Sequence, residues 1–147
     1  MTYPTIHPRM PKRLIAVLVF VFLQALGNGA FAVLTQIDIS ERERHYQDVL
    51  SEMHFAVALS YVFAGALLLG GFAVAFGHNW GRWLVMAFEA LSAIVALIAL
   101  FSGNVAMLVG LVLFGLAMSA LFSEKANGWF ADKALERRGT VAAPSPR

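Results

Sequence analysis

The residue with the sharpest chemical potential in this chain is Glu89, which stands inside an otherwise charge-free apolar run. It lies six residues past Trp83, about 9 Å along a helix. An ionisable group in such a run is costly and by default marks a functional site. It could carry a proton or bind a cation. The competing reading is structural. A helical side chain leans toward the N-terminus of its helix, and Arg82, seven residues earlier, shares the face. Glu89 would then reach the boundary headgroups or hydrogen-bond a neighbouring helix. Gln24 and Asn28 form a second polar feature, one turn apart on one stripe of an earlier apolar run. An amide in hydrocarbon needs a partner, so this stripe is expected to face another helix. Gln24 and Glu89 could pair across it, as interhelical glue or as a narrow polar pathway.

A third set lies between the first two apolar runs. Ser40 and Glu43 fit a helix-starting box, with Ser40 as cap and Glu43 reaching back. A helix from Glu41 would run straight into the second apolar run. On it Glu41, His45, Asp48 and Glu52 recur at steps of 4, 3 and 4 and share a face. Such a face could take a hard cation through carboxylates, hold zinc through His45 and an acid, or respond to pH through His45. The ordinary reading is a solvated face, because Glu41, Arg42, Glu43 and Arg44 alternate in sign. His7, His54 and His78 are scattered at the edges of apolar runs without partners at ligand spacing. There is no phosphate-binding glycine loop, nucleophile elbow or His-Glu-x-x-His. The chain has no cysteine, which removes thiolate chemistry. No catalytic residue, resident metal or cofactor is assigned, and the chain is not expected to be an enzyme.

These residues are carried by an unusual composition. Of 147 residues, 59% are apolar and only 14% charged, against about 25% charged in a typical soluble domain. A soluble globule of this size could not cover its surface with so few polar groups. Disorder and a disulfide scaffold are excluded with it. The basic balance comes from charges at the chain ends, which suits anionic lipid rather than nucleic acid. Apolar runs occupy residues 14–34, 55–76, 83–101 and 105–122. As helices each covers roughly the thickness of a bilayer core, and hydrocarbon demands that backbone amides be satisfied within each segment. The expected fold is therefore all-α: a membrane-embedded antiparallel four-helix bundle with short loops. Residues 1–13 form a polar lead, residues 35–54 the one sizeable loop, and residues 123–147 a polar tail whose end reads as disordered. Within the tail, residues 129–138 suit a short interfacial helix. Small residues four apart (Ala25 and Gly29, Ala66 and Gly70, Gly71 and Ala75, Ala106 and Gly110, Gly115 and Ser119) suit close helix packing.

Positive charge sets the threading. Nine Lys and Arg fall in the lead, the second turn and the tail, against two in the 35–54 loop. Both termini are therefore expected in the cytoplasm, with the protein in the cell (plasma) membrane. Trp80, Trp83 and Trp129 then fall at the inner water–lipid boundary as interface anchors, and Tyr46 and Tyr61 near the outer one. A competing reading takes Lys12-Arg13, the following apolar run and Ala30-Phe31-Ala32 as a secretory signal, with Gly27, Asn28 and Gly29 breaking the helix before a cut.

The segment Leu121-Phe122-Ser123-Glu124-Lys125-Ala126-Asn127-Gly128-Trp129-Phe130 resembles the close of a group of small bacterial four-span membrane proteins. The Trp80-Gly81-Arg82-Trp83 turn and Phe101-Ser102-Gly103 are similar to that group as well. The group carries no assigned activity, so the resemblance implies fold and location only. The leading expectation is a non-catalytic structural or accessory component in the lipid bilayer, partnered by another membrane protein or a second copy. The alternative is an oligomeric carrier of small molecules, coupled to protons or cations through Glu89.

Overall fold

The computed structural model describes residues 9–105 and 107–138. The start of the proline-rich lead with His7, residue Ala106 of one small-residue pair, and the tail beyond residue 138 lie outside the described residues. Those described form five helices: α1 (Lys12–Arg44), α2 (Ser51–Ala75), α3 (Asn79–Phe101), α4 (Met107–Leu121) and α5 (Glu124–Arg137). No strand occurs among them. The helices α1, α2 and α3 are each long and apolar enough to cross a membrane. At 15 residues α4 is about 22 Å long, and only together with α5, across a 50° bend, does it make a fourth candidate span.

Three helix ends share one device. Tyr46, Gly77 and Gly103 have φ of 54°, 74° and 94°. Each sits one residue past the cap. Its own amide and the next fold back onto carbonyls of the last turn, as in Gly77 N–H to Val74 O (2.9 Å) and His78 N–H to Ala73 O (2.7 Å). This left-handed step satisfies otherwise orphaned carbonyls and reverses the chain in a few residues. At the second turn only glycine fits. A Cβ on Gly77 would stand 2.8 Å from Lys133 Cβ.

The loop expected over residues 35–54 is mostly helix. Ser40 does not cap a new helix; it lies inside α1 and its hydroxyl donates to Gln36 O at 3.0 Å. Asp38 and Arg42, four apart, form an ion pair at 2.8 Å on the same stretch. Continuing a helix adds one hydrogen bond per residue fixed, whereas starting another costs a nucleus, so α1 runs on to Arg44. It also passes Gly27, Asn28 and Gly29 without the break that a signal segment would need. The tail helix begins earlier than expected, with Ser123 as its cap accepting from Ala126 N–H at 3.3 Å.

Packing follows chain order. Each of α1 to α4 lies against the next, α1 also touches α4, and α5 folds under the end where α2 meets α3. The main core lies at this end, around Leu14, Val21, Leu67, Val74, Val85 and Leu121. A smaller cluster of Ala32, Ile39 and Val57 closes the opposite end of the α1–α2 pair. Gly81 makes the tightest helix approach: a Cβ there would meet Gly70 O and Val74 N at 2.8 Å and Ala73 Cβ at 2.6 Å. A methyl added to the outward Gly110 or Gly115 of α4 would meet nothing within 4 Å. Overpacking costs about 1–3 kcal/mol, while Ala for Gly in an open helix gains roughly 0.5–1 kcal/mol. Thermal unfolding in detergent should therefore show Gly81→Ala destabilised and Gly110→Ala unchanged or more stable.

Candidate functional site

Glu89 sits near the middle of α3 and is only 3% exposed. Its carboxyl does not reach the boundary; it faces the interior, where the Gln24 side chain of α1 is its hydrogen-bond partner. The pairing of two polar residues from separate helices thus occurs in the structure. It is incomplete. Gln24 Oε1 and Glu89 Oε1 are both buried and accept no hydrogen bond. An amide N–H donating to one carboxylate oxygen leaves two acceptors and no donor between them. A proton on Glu89 would supply the donor that the pair lacks.

Asn28 lies one turn beyond Gln24, and its amide donates to Gln24 O at 3.0 Å. Its side chain also lines a cavity of about 240 Å³ together with Ser60 and Phe63 of α2, Ser92 of α3 and Met107 of α4. Ser92 is three residues beyond Glu89 on α3. The two polar pairs therefore run from the Glu89–Gln24 contact toward the cavity. Phe63 also packs edge-on to Phe88, with ring centroids 5.0 Å apart.

A second polar centre, which the sequence did not reveal, surrounds Arg82. Its guanidinium is 8% exposed and donates to Asn127 Oδ1 at 2.6 Å. It lies 4.8 Å from the centroid of Phe122 and 5.1 Å from that of Phe130. Among the described residues no carboxylate lies within ion-pairing distance of it. The aromatic faces take the place of a counter-ion, an attraction worth about 2 kcal/mol when desolvated. In sequence Arg82 read as a threading charge and as a residue on the face of Glu89, and its true partner was hidden because Asn127 is 45 residues away. Arg137 completes the docking of α5 by donating to Phe76 O at 2.9 Å and Gly77 O at 2.8 Å, the orphan carbonyls ending α2.

The remaining expected sites divide. Glu41 belongs to the last turn of α1 and His45 caps it, while Asp48 lies in the connection and Glu52 in the first turn of α2. They do not share one helix face, because the helix break falls between them. Among the described residues no group of three or more His, Asp or Glu is placed to hold a metal ion. Trp80 and Trp83 are about half exposed at the start of α3. Trp129 is instead an interior residue, 5% exposed and packed edge-on to Phe130 at 4.9 Å. The bend before α5 turns it inward.

Comparison with protein-family models, with curated proteins and with solved structures finds no match to this chain.

The Arg82 arrangement has a direct test. A hydrogen bond to a charged group contributes about 1.5–3 kcal/mol. Asn127→Ala should lower the unfolding temperature in detergent. Asn127→Asp, which supplies the missing counter-charge, should hold or raise it.

Proposed function

We propose that the protein is a small multi-pass integral membrane protein, an antiparallel four-helix bundle whose fourth span is the bent α4–α5 pair. Both termini lie in the cytoplasm and the bilayer is the plasma membrane. Three apolar helices and the charge asymmetry of the connections support this reading. Its likeness to small bacterial four-span proteins rests on the short motifs of residues 80–83, 101–103 and 121–130.

Within that frame we read the protein as a non-catalytic carrier that couples a small solute to protons or cations through Glu89. One observation carries this reading. A carboxyl buried at mid-helix meets a single amide, and one acceptor oxygen on each is left without a donor. This pair is matched only after it takes up a proton or a cation, which is the elementary step of a coupled carrier. The spans hold no thiol, no paired acids and no histidine cluster for catalysis to draw on.

The test is Glu89→Gln. Two amides can bond reciprocally, so the fold is expected to survive with the titratable group gone. In proteoliposomes carrying an internal pH dye, the wild type should dissipate an imposed pH gradient faster than empty vesicles. Glu89→Gln should fall to the empty-vesicle rate. Equal rates for wild type and variant would remove Glu89 from function. The accessory reading would then stand, and a stoichiometric partner should co-purify from native membranes in mild detergent.

A further inference from the structure

We propose that the start of α3, with the Arg82 guanidinium beside it, is a binding site for the phosphate of an anionic phospholipid headgroup. The site lies outside the carrier reading: it needs the bilayer but no step at Glu89.

Unused donors give the first argument. A guanidinium carries five N–H groups and no acceptor. Arg82 is 8% exposed, yet among the described residues it makes a single hydrogen bond, from Nη1 to Asn127 Oδ1. Its Nε is enclosed without an acceptor. Nη2 takes no acceptor either, and it is not enclosed, so this edge of the group meets the surroundings of the protein. Phe122 and Phe130 offset part of the cost of burying the charge, but a ring face supplies no oxygen. A phosphate oxygen suits the open edge in both charge and geometry.

The helix end gives a second, independent argument. His78, the residue before α3, makes no side-chain bond to the first-turn amides, and that turn holds no acid. The N–H groups of Asn79 and Trp80 take no acceptor among the described residues, and both residues are exposed. The positive end of the helix dipole is therefore open, and such an end binds phosphate. Arg82 belongs to the same turn. A helical side chain leans toward the N-terminus of its helix, which carries the guanidinium toward these amides.

Position selects a lipid over a free anion. Trp80 and Trp83 flank Arg82, each about half exposed, and an indole settles where one side is apolar and the other wet. Farther along, α3 turns Ile94 and Ile98 outward, which suits acyl chains. Lys12 and Arg13 start α1 at the same end of the bundle and are exposed as well, so anionic lipid is drawn there. The acids of α5 do not compete: neither Glu124 nor Asp132 pairs with Arg82.

The test melts the full chain in a mild nonionic detergent with added dioleoylphosphatidylglycerol, dioleoylphosphatidylcholine or sodium phosphate, at equal phosphorus. Phosphatidylglycerol should raise the unfolding temperature at least about 3 °C above either of the others. Two variants should lose more than half of this response. Asn127→Asp gives Arg82 a carboxylate of its own, and His78→Asp caps the α3 amides. Each satisfies donors that the wild type leaves open, so both are expected to fold; wild-type elution in size exclusion checks this, and either variant alone carries the comparison. Arg13→Gln lowers the net charge equally from an exposed position on α1 and should respond as the wild type does. Phosphatidylcholine matching phosphatidylglycerol, a full response in both Asp variants, or an equal loss in Arg13→Gln would overturn the proposal. A match by sodium phosphate would assign the site to a free anion and overturn the lipid. No arm involves Glu89. A wild type that passes no protons leaves this result standing, and a chain indifferent to lipid leaves the carrier reading standing.

Discussion

The structure depends on a constraint of solvent. Its helices turn large apolar side chains outward along their whole lengths: Leu34 is 67% exposed and Ile98 63%. In water such a surface would collapse or aggregate. In hydrocarbon it carries no penalty, and apolar burial no longer drives one helix against another. Association must then come from close backbone approach and matched polar groups. The molecule uses both. Gly70 and Gly81 bring α2 and α3 into backbone contact, and Arg82, Asn127 and Arg137 tie α5 beneath their turn.

The same constraint divides the bundle into unlike halves. Toward the Lys12 end the core is dense and ends on a docked helix. Beyond Glu89 and Gln24 the packing is looser: Asn28, Ser60, Ser92 and Met107 line a cavity, and the smaller Ala32–Ile39–Val57 cluster closes the Arg44 end. Glu89 and Gln24 stand at the junction. The Arg82 box belongs to the densely packed half. Its two phenylalanine faces let a guanidinium remain buried without a carboxylate.

Much of this was legible in the residues. Three of the four apolar runs fall, to within a residue, on helices long enough to span, because an apolar run of that length leaves the backbone little choice. Glu89 stood out because nothing else near it in sequence is ionisable, and Gln24 was its only amide counterpart near mid-span. The extension of α1 was not legible. Ser40 followed by Glu43 fits both a helix start and the interior of a helix already running, and the Asp38–Arg42 pair tips the balance to the second. The bend after α4 was hidden as well, since Ser123 as cap looks in sequence like the ordinary end of a span. The Arg82 box and the cavity serines depend on pairings 45 residues apart or across three helices, which no local pattern records.

The carrier reading requires that hydrocarbon surround the outward faces of α1 to α4. Washing membranes that contain the intact chain with alkaline carbonate tests this most directly, because it strips proteins held at the surface and leaves those threaded through the bilayer. The account predicts that the chain stays wholly in the membrane pellet. Its release into the supernatant would contradict the account.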